Sequence, residues 1–390
     1  MAALRMITAG ESHGPGLTCI IEGLPGGLAL DREAINRDMA RRQLGHGRGG
    51  RMKIERDAAE ATGGVRHGRT LGGPISLWVE NRDYANWEER MNPWPVDAEV
   101  EEVHLPRPGH ADLAGIQKYG FTDVRNILER ASARETAARV AGGAVCKAFL
   151  RALGVEVVSH VTRIGSVTAP PRAEPLSLDD FAAVDESPVR CLDGAASQAM
   201  VEHIDRQRKA NESLGGIFEV RAFGLVPGLG SHVSWEERLD GRLAEAICSI
   251  QAIKGFELGD GIELAQRAGS QAHDEIFHSP SRGFYRETNR SGGVEGGMTN
   301  GEPLIVRGAM KPLPTLTKPL RSVDLETHAP AEALRERTDS CTVPAAGVVG
   351  EAMVAFVIAG AYRAKFGGDH IDDVGAALGA YRERIGWRAP

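Results

Sequence analysis

A nearly unbroken apolar run late in the chain constrains the fold more than any other feature. Val343–Gly350 and Ala352–Tyr362 are separated only by Glu351. Each half is too short to cross a bilayer, so the run is read as a buried helix. At 390 residues the chain exceeds the usual size of one hydrophobic core, which leaves either two lobes or one unusually large domain.

Shorter signals place the other elements. Residues 4–8 and 17–22 look like strands on either side of a glycine-rich loop. Asp31 is a plausible N-cap for a helix through Arg42, with Gly45 as its stop. Residues 71–81 and 301–310 alternate like strands, and 82–103 reads as a surface loop. Ser132 and Glu135 have the form of a capping box before a helix that runs to Gly154. The same pattern at Ser234 and Glu237 opens a helix expected to end near Lys254 and Gly255. Residues 168–190, rich in Pro, Ala and acids, form the expected flexible connection. Strands and helices mix without strict alternation, so the fold class is α+β.

Two histidines stand out. His13 in GESHGPGL and His110 in RPGHAD lie among glycines and close to arginines, a setting for a group that titrates near neutrality beside approachable backbone. Between them, residues 41–57 interleave Arg41, Arg42, Arg48 and Arg51 with Gly45, Gly47, Gly49 and Gly50. Guanidinium forks bind carboxylates and phosphates at two points. The net charge of -7 means that this positive charge is local, which suits a small anion rather than a nucleic-acid backbone.

Other classes fit less well. GHGRGG (45–50) matches G-x-G-x-x-G but follows a helix instead of a strand, which argues against a dinucleotide fold. Neither a P-loop nor a G-x-S-x-G elbow is present, and no histidine spacing suits a metal. Five scattered cysteines, Cys19, Cys146, Cys191, Cys248 and Cys341, look like reduced and mostly buried thiols of a cytoplasmic protein. The first residues lack an apolar h-region, so no signal peptide is expected. No membrane or nucleic-acid partner is expected.

Taken together, eight segments resemble the chorismate synthase family: residues 10–17 and 41–57, HGRTLGGPI (67–75), 107–120, RASARETAARVAGG (130–143), IQAIKGFELGDG (250–261), NRSGGVEGGMTNGEP (289–303) and RTDSCTVPAAGVVGEAM (337–353). They follow the family's order through nearly the full length. The resemblance implies one domain over residues 1–390, built as a β-α-β sandwich of antiparallel sheets around central helices and assembled as a homotetramer. It implies loss of phosphate from 5-enolpyruvylshikimate 3-phosphate to give chorismate, by an anti-1,4-elimination that requires reduced FMN.

Site roles carry over from the same motifs. His13 matches the histidine that protonates the departing phosphate, His110 the one associated with protonation of the reduced flavin, and Asp339 the acid near flavin N5, with Ser12 assisting. Flavin contacts would be Arg130, Ala131, Ser132, Gln251, Ala252, Gly296, Lys311, Pro312, Leu313, Pro314, Thr315 and Arg337. Arg42, Arg48, Arg51, Arg107 and Arg134 would bind the substrate, and no metal is expected. NADPH would serve as direct or indirect reductant, and the missing dinucleotide domain favours a separate flavin reductase. The competing readings are a non-catalytic anion- or flavin-binding protein and a nicotinamide dehydrogenase.

Overall fold

The computed structural model describes residues 4–49, 57–172, 174–335 and 339–388. Strands β1 (Arg5–Ala9) and β2 (Gly16–Glu22) pair antiparallel, and the loop carrying His13 joins them. Helix α1 (Arg32–Gln43) starts where Asp31 accepts from the Glu33 amide. Strands β3 (Ala59–Gly63) and β4 (Ile75–Glu80) complete a four-stranded antiparallel sheet in the order β1-β2-β4-β3.

The middle of the chain supplies α2 (Asp112–Tyr119), α3 (Arg125–Ala131), α4 (Thr136–Ala152), β5 (Glu156–Ile164), β6 (Val167–Thr168), α5 (Gly194–Lys209) and β7 (Gly216–Phe223). Then follow α6 (Leu239–Cys248), β8 (Ile253–Leu258), β9 (Leu304–Met310), α7 (Val343–Phe366) and α8 (Ile371–Ile385). The second sheet is also antiparallel, in the order β8-β9-β7-β5-β6.

Helices α4 and α7 fill the space between the sheets, α4 against β2 and β4, α7 against β5 and β7. This is the expected β-α-β sandwich. Small residues make its thickness possible: a Cβ on Gly143 of α4 would stand 2.2 Å from Ala352 Cβ of α7, and one on Gly350 would stand 2.6 Å from the Phe218 ring of β7. Any larger side chain would push the layers apart. One contiguous core takes in both sheets and both helices. The apolar run is therefore the centre of the molecule, a helix long enough to cross a membrane by length and composition yet almost wholly buried in protein.

Four expectations need correction. Helix α6 stops at Cys248, and Lys254 and Gly255 belong to β8. The turn between them passes through Ala252, which adopts a positive φ of 68°. The expected connection at 168–190 is not loose over residues 174–190, where Leu176, Phe181 and Val184 form a small core against Val158, Leu192 and Phe223. At Ser132 the hydroxyl accepts from the Arg134 amide and opens a short 3-10 turn before α4. The box partner is absent: the Glu135 carboxylate instead takes Thr8, Arg139 and Gln251. At Ser234 the hydroxyl makes no capping bond.

Candidate active site

The β1–β2 loop is tied down before it reaches His13. Gly10, at φ +101°, leaves no room for a side chain, since its Cβ would stand 2.3 Å from the Gly16 carbonyl. Ser12 N–H donates to the Glu129 carbonyl at the end of α3, and Asn81 donates to the Gly14 carbonyl. The Glu129 carboxylate then accepts from the His13 amide at 2.8 Å and lies 2.9 Å from His13 Nδ1. The Trp87 ring packs against the imidazole with centroids 3.9 Å apart and planes tilted by 31°. Ser132 donates to Ser12 at 3.1 Å, which brings two predicted site residues together.

A second group forms around His110. Asp112 accepts from the Arg107 amide and side chain at 2.9 Å each and contacts His110 Nδ1. Burial pushes the Asp112 carboxyl up, but the hydrogen bonds from His110 and Arg107 outweigh it and bring it down to about 2. Arg107 also reaches Thr315 at 3.2 Å, and Lys311 Nζ donates to the Gly109 carbonyl. The 311–315 segment thus holds the His110 loop in place.

Thr315 opens onto a third group. It lines a pocket with Arg48, Gly49, Asp339 and Ser340. Arg48 pairs with Asp339 at 3.0 Å, and Asp339 also accepts from the Gly49 amide. Arg48, Arg107, Thr315 and Asp339, far apart in sequence, are thereby connected.

Arg42 and Arg134 meet elsewhere, on opposite sides of Asp57 at 2.6 and 3.0 Å. All three are buried. Burial raises the Asp57 carboxyl, and the two guanidinium groups overcome this and hold it below its ordinary range. Arg48 and Arg107 thus each pair with a carboxylate, Asp339 and Asp112, while Arg42 and Arg134 share Asp57, and these acids compensate the buried charge and fix the guanidinium planes. Arg51 and Arg337 lie outside the described residues.

The flavin candidates divide. Arg130 and Gln251 line a cavity of about 260 Å³ with Thr8, Glu135, Arg139 and an apolar wall of Met6, Met353 and Phe356. Gln251 Oε1 is buried there without a hydrogen-bond partner. Ala252 joins this region to Lys311, whose amide donates to the Ala252 carbonyl at 2.9 Å. Ala131 ends α3 beside Ser132, and Pro312, Leu313 and Pro314 connect Lys311 to Thr315. Gly296 lies in a turn whose backbone contacts run to Gly230 and Leu239. At Ser132 the Arg134 amide donates to the Ser132 hydroxyl, and the Arg134 guanidinium pairs with Asp57.

Asp57, Asp112 and Glu129 were not among the sequence candidates. The signal for Asp112 was its place two residues after His110; Asp57 and Glu129 carried none, since their partners come from distant segments. Cys19 and Cys146 are buried, and burial pushes the Cys19 thiol up to about 12 and Cys146 higher still, so neither is a reactive nucleophile.

Comparison with known proteins agrees with this architecture. Residues 4–362 match the family model described as chorismate synthase. The chain is 57% identical over 379 residues to the chorismate synthase of Rubrobacter xylanophilus, covering 97% of this chain and 96% of that protein. It is 54% identical over 371 residues to that of Alkaliphilus metalliredigens, covering 95% and 97%. A crystal structure titled chorismate synthase superposes with a TM-score of 0.80 at 42% identity and covers 99% of both chains.

Proposed function

This chain belongs to the chorismate synthase family, an enzyme of the lyase class, and we propose that it releases phosphate from 5-enolpyruvylshikimate 3-phosphate by a reduced-FMN-dependent anti-1,4-elimination. The observation that carries this reading is the convergence of Arg48, Arg107, Thr315 and Asp339, with His110 on the same Asp112 that holds Arg107. Such a set suits a substrate with two carboxylates and a phosphate.

The residues present fit a flavin. Gln251 Oε1 is a buried acceptor without a partner, beside Arg130 and Arg139 and an apolar wall of Met6, Met353 and Phe356. Arg130, Gln251, Ala252 and the Lys311–Thr315 segment would hold it, with Ala131, Ser132, Gly296 and Arg337 carried over from the resemblance. The chemistry that reduced FMN would supply when bound is electron density for breaking the allylic C–O bond.

The protein's own groups bind, orient and move protons. Arg42, Arg48, Arg51, Arg107 and Arg134 bind the anionic groups, each described one being oriented by its carboxylate. His13 donates a proton to the departing phosphate, with Ser12 beside it. His110 holds the proton that keeps the reduced flavin in the right protonation state, and Asp339 helps remove the ring proton. The chain acts as one domain, in the cytoplasm, as a homotetramer. NADPH serves through a separate flavin reductase, a reading that rests on the sequence lacking a recognisable dinucleotide domain.

Anaerobic incubation with 5-enolpyruvylshikimate 3-phosphate and dithionite-reduced FMN, with chorismate followed by absorbance, tests the reading. Catalytic flavin should give complete turnover. Binding without product would favour the non-catalytic alternative, and stoichiometric NADPH consumption would favour a dehydrogenase. Turnover with NADPH and FMN alone would show that no separate reductase is needed.

A further inference from the structure

We propose that Glu129 and Trp87 are positioning residues that hold the His13 ring in one plane and one tautomer, with a hydrogen fixed on Nδ1 and proton exchange confined to Nε2. The inference rests on the reading of His13 as proton donor and adds how that donor is aimed.

The same carboxylate holds both the backbone and the ring of His13. Glu129 sits at the end of α3, and its carboxylate spans the histidine, with Oε2 2.8 Å from the amide nitrogen and both oxygens within 3.0 Å of Nδ1. The amide bond locks the backbone, so the ring bond cannot drift with the loop. Arg125, one turn earlier on α3, donates to the same carboxylate at 2.9 Å. Its guanidinium also lies 5.1 Å from the Trp87 ring centroid, and the Trp87 ring lies 3.9 Å from the His13 ring, tilted by 31°. The carboxylate fixes the ring in its plane, and the indole fixes it out of the plane.

Chemistry dictates the tautomer. An ionised carboxylate only accepts, so the nitrogen facing it must carry hydrogen. Burial works against ionisation of Glu129, but the hydrogen bond from His13 and the Arg125 charge prevail and hold its carboxyl below the ordinary range. At His110 the arrangement differs, for Arg107 approaches Nδ1 at 3.2 Å and competes with Asp112 for that atom. In the elimination, the Nε2 proton of the His13 imidazolium passes to an oxygen of the departing phosphate as the C–O bond breaks. The neutral imidazole left behind keeps its hydrogen on Nδ1 against Glu129, and Nε2 is reprotonated from solvent. An imidazole free to flip would leave half of its orientations with the wrong nitrogen aimed at the leaving group.

Nitrogen NMR of protein labelled at its histidines tests this, with His13→Ala identifying the His13 signals. In the unmodified protein, neutral His13 should carry its hydrogen on Nδ1. Glu129→Ala should shift the neutral ring towards hydrogen on Nε2 and lower kcat about tenfold or more with KM within about twofold. Glu129→Asp should restore part of both. Trp87→Leu should keep the Nδ1 signature and lower kcat. A neutral His13 protonated on Nε2 in the unmodified protein would overturn the proposal, whether or not the variants fold. So would an unchanged spectrum and kcat in Glu129→Ala, and unchanged kcat in Trp87→Leu would remove the indole from it. The donor reading fails separately, if His13→Ala turns over normally while the Nδ1 signature stands.

Discussion

Arg41 and Glu351 form a two-pronged pair at the centre of the molecule, with both terminal guanidinium nitrogens 2.8 Å from the two carboxylate oxygens. Lys147 at 2.7 Å, Ser159 at 2.7 Å and Arg190 at 3.1 Å crowd the same carboxylate. Glu351 is 1% exposed and is the only charged residue of its helix between Val343 and Tyr362. The charge thus ties α1, α4 and β5 to α7. Because Arg41 precedes Arg42, it also anchors the start of the basic glycine segment. Glu351→Ala removes the shared partner of buried Lys147 and Arg190 and of half-buried Arg41, leaving them the Asp38 and Asp185 carboxylates, and should cost about 3–5 kcal/mol. Urea unfolding should register that loss; a change under about 1 kcal/mol would mean that water or rearrangement compensates.

Acid should unfold the protein through the same kind of group. Burial opposes ionisation of Asp57, Glu129, Glu135 and Glu351, yet paired arginines, lysine or histidine hold each below its ordinary range, and Asp112 lies at about 2. A carboxyl lowered on folding contributes stability that is fully present above its unfolded value of about 4. That contribution disappears as pH falls through the folded value. Stability should therefore be level between about pH 5 and 7 and fall steeply below about pH 4. Denaturant midpoints across that range check it, and a fall that begins above pH 6 would point to histidines instead.

The α4–α7 contact should tolerate no added volume. A Cβ on Gly143 would meet both Cβ and Cα of Ala352, at 2.2 and 2.5 Å, and neither helix can yield without moving a sheet. Gly143→Ala should destabilise by about 1–3 kcal/mol, overpacking outweighing the gain in helix propensity. Thermal unfolding measures the sign directly. A more stable variant would show that the helices can separate at little cost.

What could be read from the sequence was what local pattern controls. Asp31 and the 32–43 helix, the β1–β2 pair and the apolar helix at 343–366 follow from capping, alternation and an apolar run. The end of α6 was misread because Ile247, Ile250 and Lys254 keep helical spacing. The backbone leaves the helix through a left-handed Ala252 that no glycine or proline announces. Helix α5 was missed although Asp193, Ala196, Met200 and Ile204 carry its cap and stripe. In the candidate site the arginines and histidines were visible as residue types. Their carboxylates were not, since Asp57 finds Arg134 and Glu129 finds His13 only when α3 and α4 pack against the first sheet.

The two histidines should separate chemistry from folding. His13 and His110 are each held by one carboxylate at a loop and lie outside the apolar core. His13→Ala and His110→Ala should each cut turnover by about 10²- to 10⁴-fold, the usual range for a group that moves a proton. Far-UV circular dichroism should stay unchanged. Near-normal rates in both variants would remove them from proton transfer.

Arg48 and Asp339 allow a test of binding against chemistry within one ion pair. Their 3.0 Å contact closes the pocket that also holds Thr315, and the Gly49 amide on Asp339 fixes the acid independently of the arginine. Removing the guanidinium should therefore leave Asp339 in place while deleting a two-point anion contact. Arg48→Ala should raise KM for the phosphorylated substrate by about 10-fold or more, the loss of one charge-assisted bond of about 1.5–3 kcal/mol. Arg48→Lys should recover only part, because an ammonium cannot bind two oxygens in the same plane. Asp339→Asn keeps the Gly49 bond and should instead lower kcat with little change in KM. Equal effects of Arg48→Ala and Asp339→Asn on both constants would mean that the pair acts only as a structural clasp.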